Sequence, residues 1–320
     1  MKRCVAVQAD PIEDLDFETD TSLMLAYGAQ KRGYQVFFYT PQNLSLLSSK
    51  ESSVSVRARG RWVRFPGRLF QKDYQVSEEE VLDLSEASFV LIRQNPPVDM
   101  AYLTATYLLE HLPRSVRVIN DPKAIRDCPE KIFPLAFPHL FPPTLISRDV
   151  LEIEDFLKKH KKIIVKPLYR YGGKGIFLME EGREKAISLK TLFEKEQEPY
   201  MFQKYLPEIS VGDKRLLLLE GEAVGMFIRV LTGGSHLANT LQGGSAQKTS
   251  LTERDREIIE TLKDPLREKG LFFVGVDIIG DSVTEINTTS PTGFSYYNQL
   301  ENASLEEVFW DKVESLTPRI

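Results

Sequence analysis

Three oxygen-bearing side chains near the C-terminal end, Asp277, Glu285 and Asn287, have the type and spacing of a hard-cation site. Glu285 and Asn287 stand two apart in the run Val283-Thr284-Glu285-Ile286-Asn287, so on a β-strand they leave from the same face. Asp277 sits in a second apolar run, Val274 to Ile279. Gly280-Asp281-Ser282 between the runs reads as the turn of a hairpin that brings it opposite. Oxygen donors on adjacent strands suit Mg2+, and so much acid among apolar residues is costly to bury without a counter-charge. The competing reading is two ordinary surface acids at strand ends.

Upstream lie groups suited to phosphate. Lys166 precedes Pro167 in the otherwise apolar run Ile163-Ile164-Val165. An unpaired ammonium there is costly, which makes a phosphate partner attractive. Lys131 is a second such lysine, and each, taken alone, reads equally as a surface residue. Tyr171-Gly172-Gly173-Lys174-Gly175 falls between the runs Ile163 to Lys166 and Ile176 to Met179. It is neither a P-loop nor a dinucleotide fingerprint, because Lys174 is followed by Gly and no helix opens. Its glycine amides can still close over a phosphate, and a plain turn fits as well. The order along the chain carries more weight: lysine, lysine on a strand, glycine flap, then Asp and Glu-x-Asn.

These groups need a scaffold. Cys4 to Val7 and Val36 to Tyr39 read as strands, with a helix between them capped at Asp20-Thr21-Ser22 and ending near Gly33. That β-α-β order predicts a parallel sheet with right-handed crossovers, extended by Val90 to Ile92 and Val116 to Ile119. Val54 to Phe65, with Arg57, Arg59, Arg61 and Arg64, reads as a β-hairpin about Gly60 presenting a solvated basic face. After Asn120-Asp121-Pro122 a helix carrying Ile125 and Ile132 is expected, then a proline-rich stretch. Leu151 to Leu157 reads as a helix whose lysine-rich end faces water. Leu216 to Leu219 and Val224 to Val230 read as paired strands around Gly221. Leu231 to Ser250 is a long Gly-, Ser- and Thr-rich loop, a candidate lid. Ser250-Leu251-Thr252-Glu253 has the capping-box pattern ahead of a helix carrying Ile258, Ile259, Leu262 and Leu266. Domain boundaries are expected at 1–121, 122–199 and 200–320.

The chain has 320 residues, 42% hydrophobic and 27% charged, with net charge −5. That length supports two or three subdomains with a sizeable core. The acidic balance makes nucleic acid and anionic membrane poor partners, so an anionic ligand must meet local Lys and Arg. Two cysteines and four histidines show no zinc spacing. Low cysteine use, no visible signal peptide and no long apolar stretch predict a cytoplasmic protein without a membrane span.

Longer motifs carry a family likeness. They include Asp10-Pro11-Ile12, Arg93-x-x-Pro96-Pro97-x-Asp99, Arg126-Asp127-Cys128, Glu130-Lys131, Val165-Lys166-Pro167 and Gln203-Lys204-Tyr205-Leu206-Pro207. Gly212-Asp213-Lys214-Arg215, Gly275-x-Asp277-Ile278-Ile279-Gly280 and Thr284-Glu285-Ile286-Asn287-x-x-Ser290-Pro291-Thr292 continue it. In order and spacing the chain resembles bacterial glutathione synthetase almost from end to end. The resemblance implies an α/β ATP-grasp fold: a Rossmann-like N-terminal domain, a central lid subdomain and a C-terminal mixed-sheet domain.

It also implies ligation of γ-glutamylcysteine to glycine through an acyl phosphate, with ATP converted to ADP. Mg2+, or Mn2+ in its place, would be held by Asp277, Glu285 and Asn287. Lys131 and Lys166 would hold ATP phosphates under the flap of Gly172 and Gly173. Gln203, Lys204, Tyr205 and Leu206 would border adenine. Arg215 and Arg229 would face the acyl phosphate and substrate carboxylate, and Arg93 and Ser290 would bind substrate. The family implies a homo-oligomer, often a tetramer. The chain departs from the pattern at Leu237 and Ser245, where related lids carry arginine, and at Gly293-Phe294-Ser295-Tyr296-Tyr297. These departures keep open a second reading, an ATP-grasp ligase with another acyl or amine substrate.

Overall fold

The computed structural model describes residues 3–49, 54–67, 72–182, 193, 197–230 and 245–316. Among these, three sheets follow one another along the chain. In the first, β1 (Cys4–Gln8) is buried throughout and runs parallel to β2 (Gln35–Tyr39). The helix α1 (Thr21–Lys31) makes the crossover, and the Asp20 carboxylate accepts from the Ser22 and Leu23 amides at its start. Beyond β2 the chain adds antiparallel strands β3 (Leu44–Leu47), β4 (Ser55–Arg64), β5 (Gln75–Val76) and β6 (Glu80–Asp83). It then returns with β7 (Phe89–Ile92) to the other side of β1. Helix α2 (Met100–Leu109) leads to β8 (Arg117–Ile119), parallel to β7.

The hairpin expected about Gly60 does not form, because β4 runs through that glycine as one strand. A Cβ there would collide with the Phe38 carbonyl oxygen and crowd Phe37 and Tyr39 at 2.9 Å. Gly60 therefore serves close approach of β2 to β4, not a turn. The arginines of β4 stand exposed or half-buried, as a solvated basic face requires.

The helix expected to carry both Ile125 and Ile132 is also broken. Helix α3 (Pro122–Asp127) ends at Cys128, with φ −124 and ψ 64, because Pro129 disfavours helical geometry in the residue before it. A 3-10 turn over Phe133–Ala136 follows. The second sheet comprises β9 (Thr144–Ser147), β10 (Lys162–Pro167), β11 (Phe177–Glu180) and β12 (Tyr200–Lys204), in the order β11-β10-β12-β9. Helix α4 (Val150–His160) covers it, burying Ile153 and Leu157 against Val165 and Phe202. A boundary at 199/200 would cut this sheet, because β12 pairs with both β9 and β10.

The third sheet has the order β15-β14-β13-β16-β17. Its strands are β13 (Asp213–Leu219), β14 (Glu222–Val230), β15 (Ser245–Lys248), β16 (Phe273–Ile279) and β17 (Ser282–Asn287). Part of the expected loop is thus a strand, and residues 231–244, with Leu237, lie outside the described residues. Helix α5 (Glu253–Lys269) covers one face with Ile258, Ile259, Leu262 and Leu266. Its capping box joins Thr252 to Asp255, two residues beyond the expected pair. Asp255 is fixed there because its carboxylate also accepts from Lys214 Nζ at 2.6 and 2.7 Å.

Helices α6 (Phe294–Glu301) and α7 (Leu305–Ser315) return to the first sheet. Trp310 Nε1 donates to the Leu25 carbonyl at 2.8 Å. Arg32 gathers Glu307, Asp311 and Glu314 of α7 at 2.6–3.0 Å. One apolar core, containing Val5, Leu23, Phe89, Leu217, Phe273 and Trp310, therefore joins the first and third layers. Among the described residues no helix is long and apolar enough to cross a membrane.

Candidate active site

Strand register brings the chemical groups together. Asp213 pairs with Arg229, Arg215 with Asp277, Asp277 with Glu285, and Gly275 with Asn287. Directly opposed residues share a face, as do residues two apart. Asp213, Arg215, Arg229, Asp277, Glu285 and Asn287 therefore all stand on one side. Their alternates, Leu216, Leu218, Val276, Ile278 and Ile286, fill the core beneath α5. The apolar-polar alternation that made these strands legible is thus the alternation that makes the site.

Arg215 donates to both oxygens of Asp277, Nε to Oδ1 at 2.6 Å and Nη2 to Oδ2 at 3.0 Å. Arg229 Nη2 reaches Asp277 Oδ1 at 3.0 Å and donates to Asp213 Oδ2. Burial alone would raise the Asp277 carboxyl, but the two guanidiniums outweigh it and hold it down to about 2. Asp213 shares only Arg229 fully, and burial pushes it up to about 7.

Two lysines approach the same face from the preceding segments. Lys131 Nζ pairs with Glu285 Oε1 at 3.0 Å and donates to the Arg170 carbonyl at 2.7 Å. Burial would lower this lysine, and the Glu285 and Glu130 carboxylates outweigh it and raise it. Lys166 Nζ donates to Gln203 Oε1 at 2.8 Å, and Gln203 Nε2 reaches Thr144 Oγ1 at 3.3 Å. Burial lowers Lys166, so a phosphate arriving beside it would restore the charge that desolvation disfavours. Of the residues assigned to adenine, Gln203 is buried and Lys204 is exposed. Tyr205 and Leu206 are half-buried, and the Lys162 ammonium lies 4.8 Å over the Tyr205 ring.

The glycine segment links β10 to β11 with Gly172, Gly173 and Gly175 at φ 66, 74 and 80. These left-handed values suit glycine. The Lys131 bond to Arg170 ties the foot of this turn to Glu285.

The loop after β17 is gripped from several elements. Glu130 accepts from the Thr288 amide at 3.1 Å, the Thr289 amide at 3.2 Å and Thr289 Oγ1 at 2.7 Å. Asn120 Nδ2 donates to the Thr288 carbonyl at 2.8 Å. Ser290 Oγ donates to Asn95 Oδ1 at 3.1 Å, and Asn95 Nδ2 donates to Asp10 Oδ2 at 2.7 Å. Arg93 is buried and donates to Ser22 Oγ and the Pro291 carbonyl at 3.1 and 2.8 Å. Burial lowers its pKa to about 10. Arg93 thus meets the loop that carries Ser290, and Ser245 stands exposed at the edge, opposite Val230.

Sequence reasoning gave no role to Asp213, Glu130, Asn95 or Asn120, although Asp213 and Glu130 stand in two of the quoted motifs. Asp213 was within reach, because it lies two before Arg215 on the same strand face. Glu130 had only its adjacency to Lys131 as a signal. The asparagines had none, since their partners are distant in sequence: Asp10 and Ser290 for Asn95, and the Phe273 and Thr288 backbone for Asn120.

The donors fit a hard divalent cation. Asp277 and Glu285 face each other across β16 and β17, and Asn287 follows on the same face. Among the described residues no three His, Cys, Asp or Glu side chains group as a metal site. The fit therefore uses Asn287 as third oxygen donor, with phosphate oxygens and water completing the shell, the usual arrangement for Mg2+.

Two family models match the chain, the prokaryotic glutathione synthetase N-terminal domain over residues 3–126 and its ATP-grasp domain over 130–302. A glutathione synthetase of Mesorhizobium japonicum is 44% identical over 315 residues, covering 98% of this chain and 99% of that protein. One of Brucella melitensis is 40% identical over 312 residues, covering 97% and 98%. Among solved structures, D-cycloserine synthetase DcsG aligns with a TM-score of 0.67 at 15% identity over 98% of this chain and 99% of that one. The macrocyclase MdnC, bound to its precursor peptide MdnA from Microcystis aeruginosa, aligns at 0.65 and 14% over 97% and 99%. At such identities the structures share the fold alone.

Proposed function

The chain belongs to the prokaryotic glutathione synthetase family, and on that premise we propose that it joins γ-glutamylcysteine to glycine with ATP, releasing ADP and phosphate. The observation that carries the reading is the single row Arg229, Arg215, Asp277, Glu285 and Lys131, with Lys166 alongside.

A carboxylate is a poor electrophile because its leaving group would be oxide. Phosphorylation by the γ-phosphoryl group supplies a better one, and the glycine amine then displaces phosphate. Lys131 and Lys166 bind phosphoryl oxygens as point charges. Gly172 and Gly173 offer amides to the same oxygens from the flap. A divalent cation, Mg2+ by preference with Mn2+ as substitute, would be held by Asp277, Glu285 and Asn287 and would offset charge on the transferred group. Arg215 and Arg229 place guanidinium donors where the acyl phosphate and the tetrahedral oxyanion form. Gln203, Lys204, Tyr205 and Leu206 border the adenine. Ser290 meets the peptide, with Arg93 behind it.

We further propose three working units, with the central one running from 122 through β12 to Lys204. The free, buried Cys4 and Cys128 support a reducing cytoplasm, and the family resemblance supports a homo-oligomer.

Ser245 favours a second reading, because it brings no charge to a place on β15 where the family resemblance implies arginine. The test is ADP release with ATP, Mg2+, γ-glutamylcysteine and glycine, each omitted in turn. Release that needs both amino substrates and yields tripeptide supports the first reading. Release only with another γ-glutamyl peptide or amine moves the chain to the second. No release with any carboxylate-amine pair sinks both.

A further inference from the structure

Glu130 is buried, a costly position for a carboxylate unless it is well bonded, and no step above uses it. Among the described residues its bonds run to one short stretch. Its backbone carbonyl accepts from the Ile286 amide at 3.0 Å. Its Oε1 accepts from the Thr288 and Thr289 amides and from Thr289 Oγ1. The amide before Asn287 and the two after it are therefore fixed by one residue. The next residue, Lys131, holds the Glu285 carboxylate at 3.0 Å. Cys128, two residues earlier, accepts from Thr288 Oγ1 at 3.0 Å.

Among the described residues β17 is an edge strand of its sheet, paired with β16 alone. Along its outer edge the Val283 amide donates to the Leu140 carbonyl at 2.8 Å, and the stretch beside Glu285 and Asn287 is held by Glu130. The segment 128–131 takes the place of a sixth strand there, with the Glu130 side chain supplying two of the three amide bonds.

We propose that Glu130 is a positioning residue for the divalent-cation site, locking the backbone on either side of Asn287 so that Glu285, Asn287 and Asp277 converge. The inference rests on the metal role proposed above for those three residues. Groups that orient metal ligands are typically worth 10–100-fold in affinity.

The test is Mn2+ binding in the presence of ADP, followed by electron paramagnetic resonance at a temperature well below melting. Wild type, Glu130→Gln, Thr289→Val and Asp277→Asn are compared, with thermal melts of each. Gln keeps the size of Glu but points an amide donor at amide donors or offers a weaker acceptor. The expected result is Mn2+ binding weakened roughly 10–100-fold in Glu130→Gln, several-fold in Thr289→Val, and abolished in Asp277→Asn. A purely structural Glu130 would lower the melting temperature and leave the Mn2+ affinity unchanged, which overturns the proposal. Should Glu130→Gln fail to fold, Thr289→Val decides, and unchanged affinity there overturns it as well. Wild type that binds no Mn2+ overturns the metal reading itself, and this inference with it.

Discussion

Arg215 and Asp277 face each other across β13 and β16 as a two-bonded pair, Nε to Oδ1 at 2.6 Å and Nη2 to Oδ2 at 3.0 Å. The same guanidinium sends Nη1 to the Thr292 carbonyl at 3.1 Å. One side chain thus orients a proposed metal ligand and fixes the loop that follows β17. Planar bidentate geometry of this kind is available to Arg and not to Lys.

Arg215→Met should therefore lower kcat by roughly 10²–10³-fold, the usual cost of removing one preorganised transition-state donor. Stability should fall by about 3 kcal/mol, the low end for breaking a buried pair, because Arg229 still holds Asp277. Steady-state ADP release and denaturant unfolding give the two numbers. A kcat loss under tenfold would count against a role for Arg215 at the reacting centre.

Gln203 holds the Lys166 ammonium from the neighbouring strand. Gln203→Leu should release it and raise KM for ATP about tenfold, equivalent to about 1.5 kcal/mol for a hydrogen bond to a charged group. The KM for the amine substrate should stay within about twofold of wild type. Equal changes in both would show that Gln203 supports the fold and not the nucleotide.

The two buried aspartates predict opposite pH slopes. Asp277, lowered to about 2, contributes stability above its ordinary value and loses it as pH falls toward 2. Asp213, raised to about 7, keeps its proton in the folded state after the unfolded chain has lost it. Its contribution is full below the ordinary carboxylate range and is lost as pH rises through about 7, following the proton-linkage sign. The two share Arg229, so they titrate as a pair. In metal-free protein, Asp213→Asn should flatten the fall in melting temperature between about pH 5 and 8. Parallel wild-type and variant curves over that range would contradict the assignment.

Gly60 lets β4 lie against β2 without a side chain between them. Gly60→Ala should cost about 1–3 kcal/mol, as overpacking does, because the obstructing atom is backbone and cannot move aside. Denaturant midpoints measure it. ADP release should be unchanged, since β4 carries none of the residues proposed to bind ATP, the cation or the peptide.

Some of the architecture was legible because local pattern and final structure agree. Asp20 caps α1, Val274 to Ile279 and Val283 to Ile286 pair, and Asp277 does come opposite Glu285. Readings that depended on a single residue type failed where tertiary contact or a neighbour decided otherwise. Gly60 looked like a turn and is a close approach. Ile125 and Ile132 looked like one helix face, and Pro129 divides them. Ser250 and Glu253 had the pattern of a capping box, but Lys214 anchors Asp255, so the box forms at Thr252.

By itself, the sequence determined the strands that carry Asp277, Glu285 and Asn287, the face those residues take and the order of the proposed phosphate-binding groups, because those follow from period-two alternation and chain direction. The tertiary structure alone decided which charges meet. Arg229 reaches Asp277 across two strands, Lys131 reaches Glu285 from a separate segment, and Glu130 with Asn120 holds a loop more than 150 residues away. Such partners are chosen by register and burial, which require the complete sheet and carry no trace in local composition.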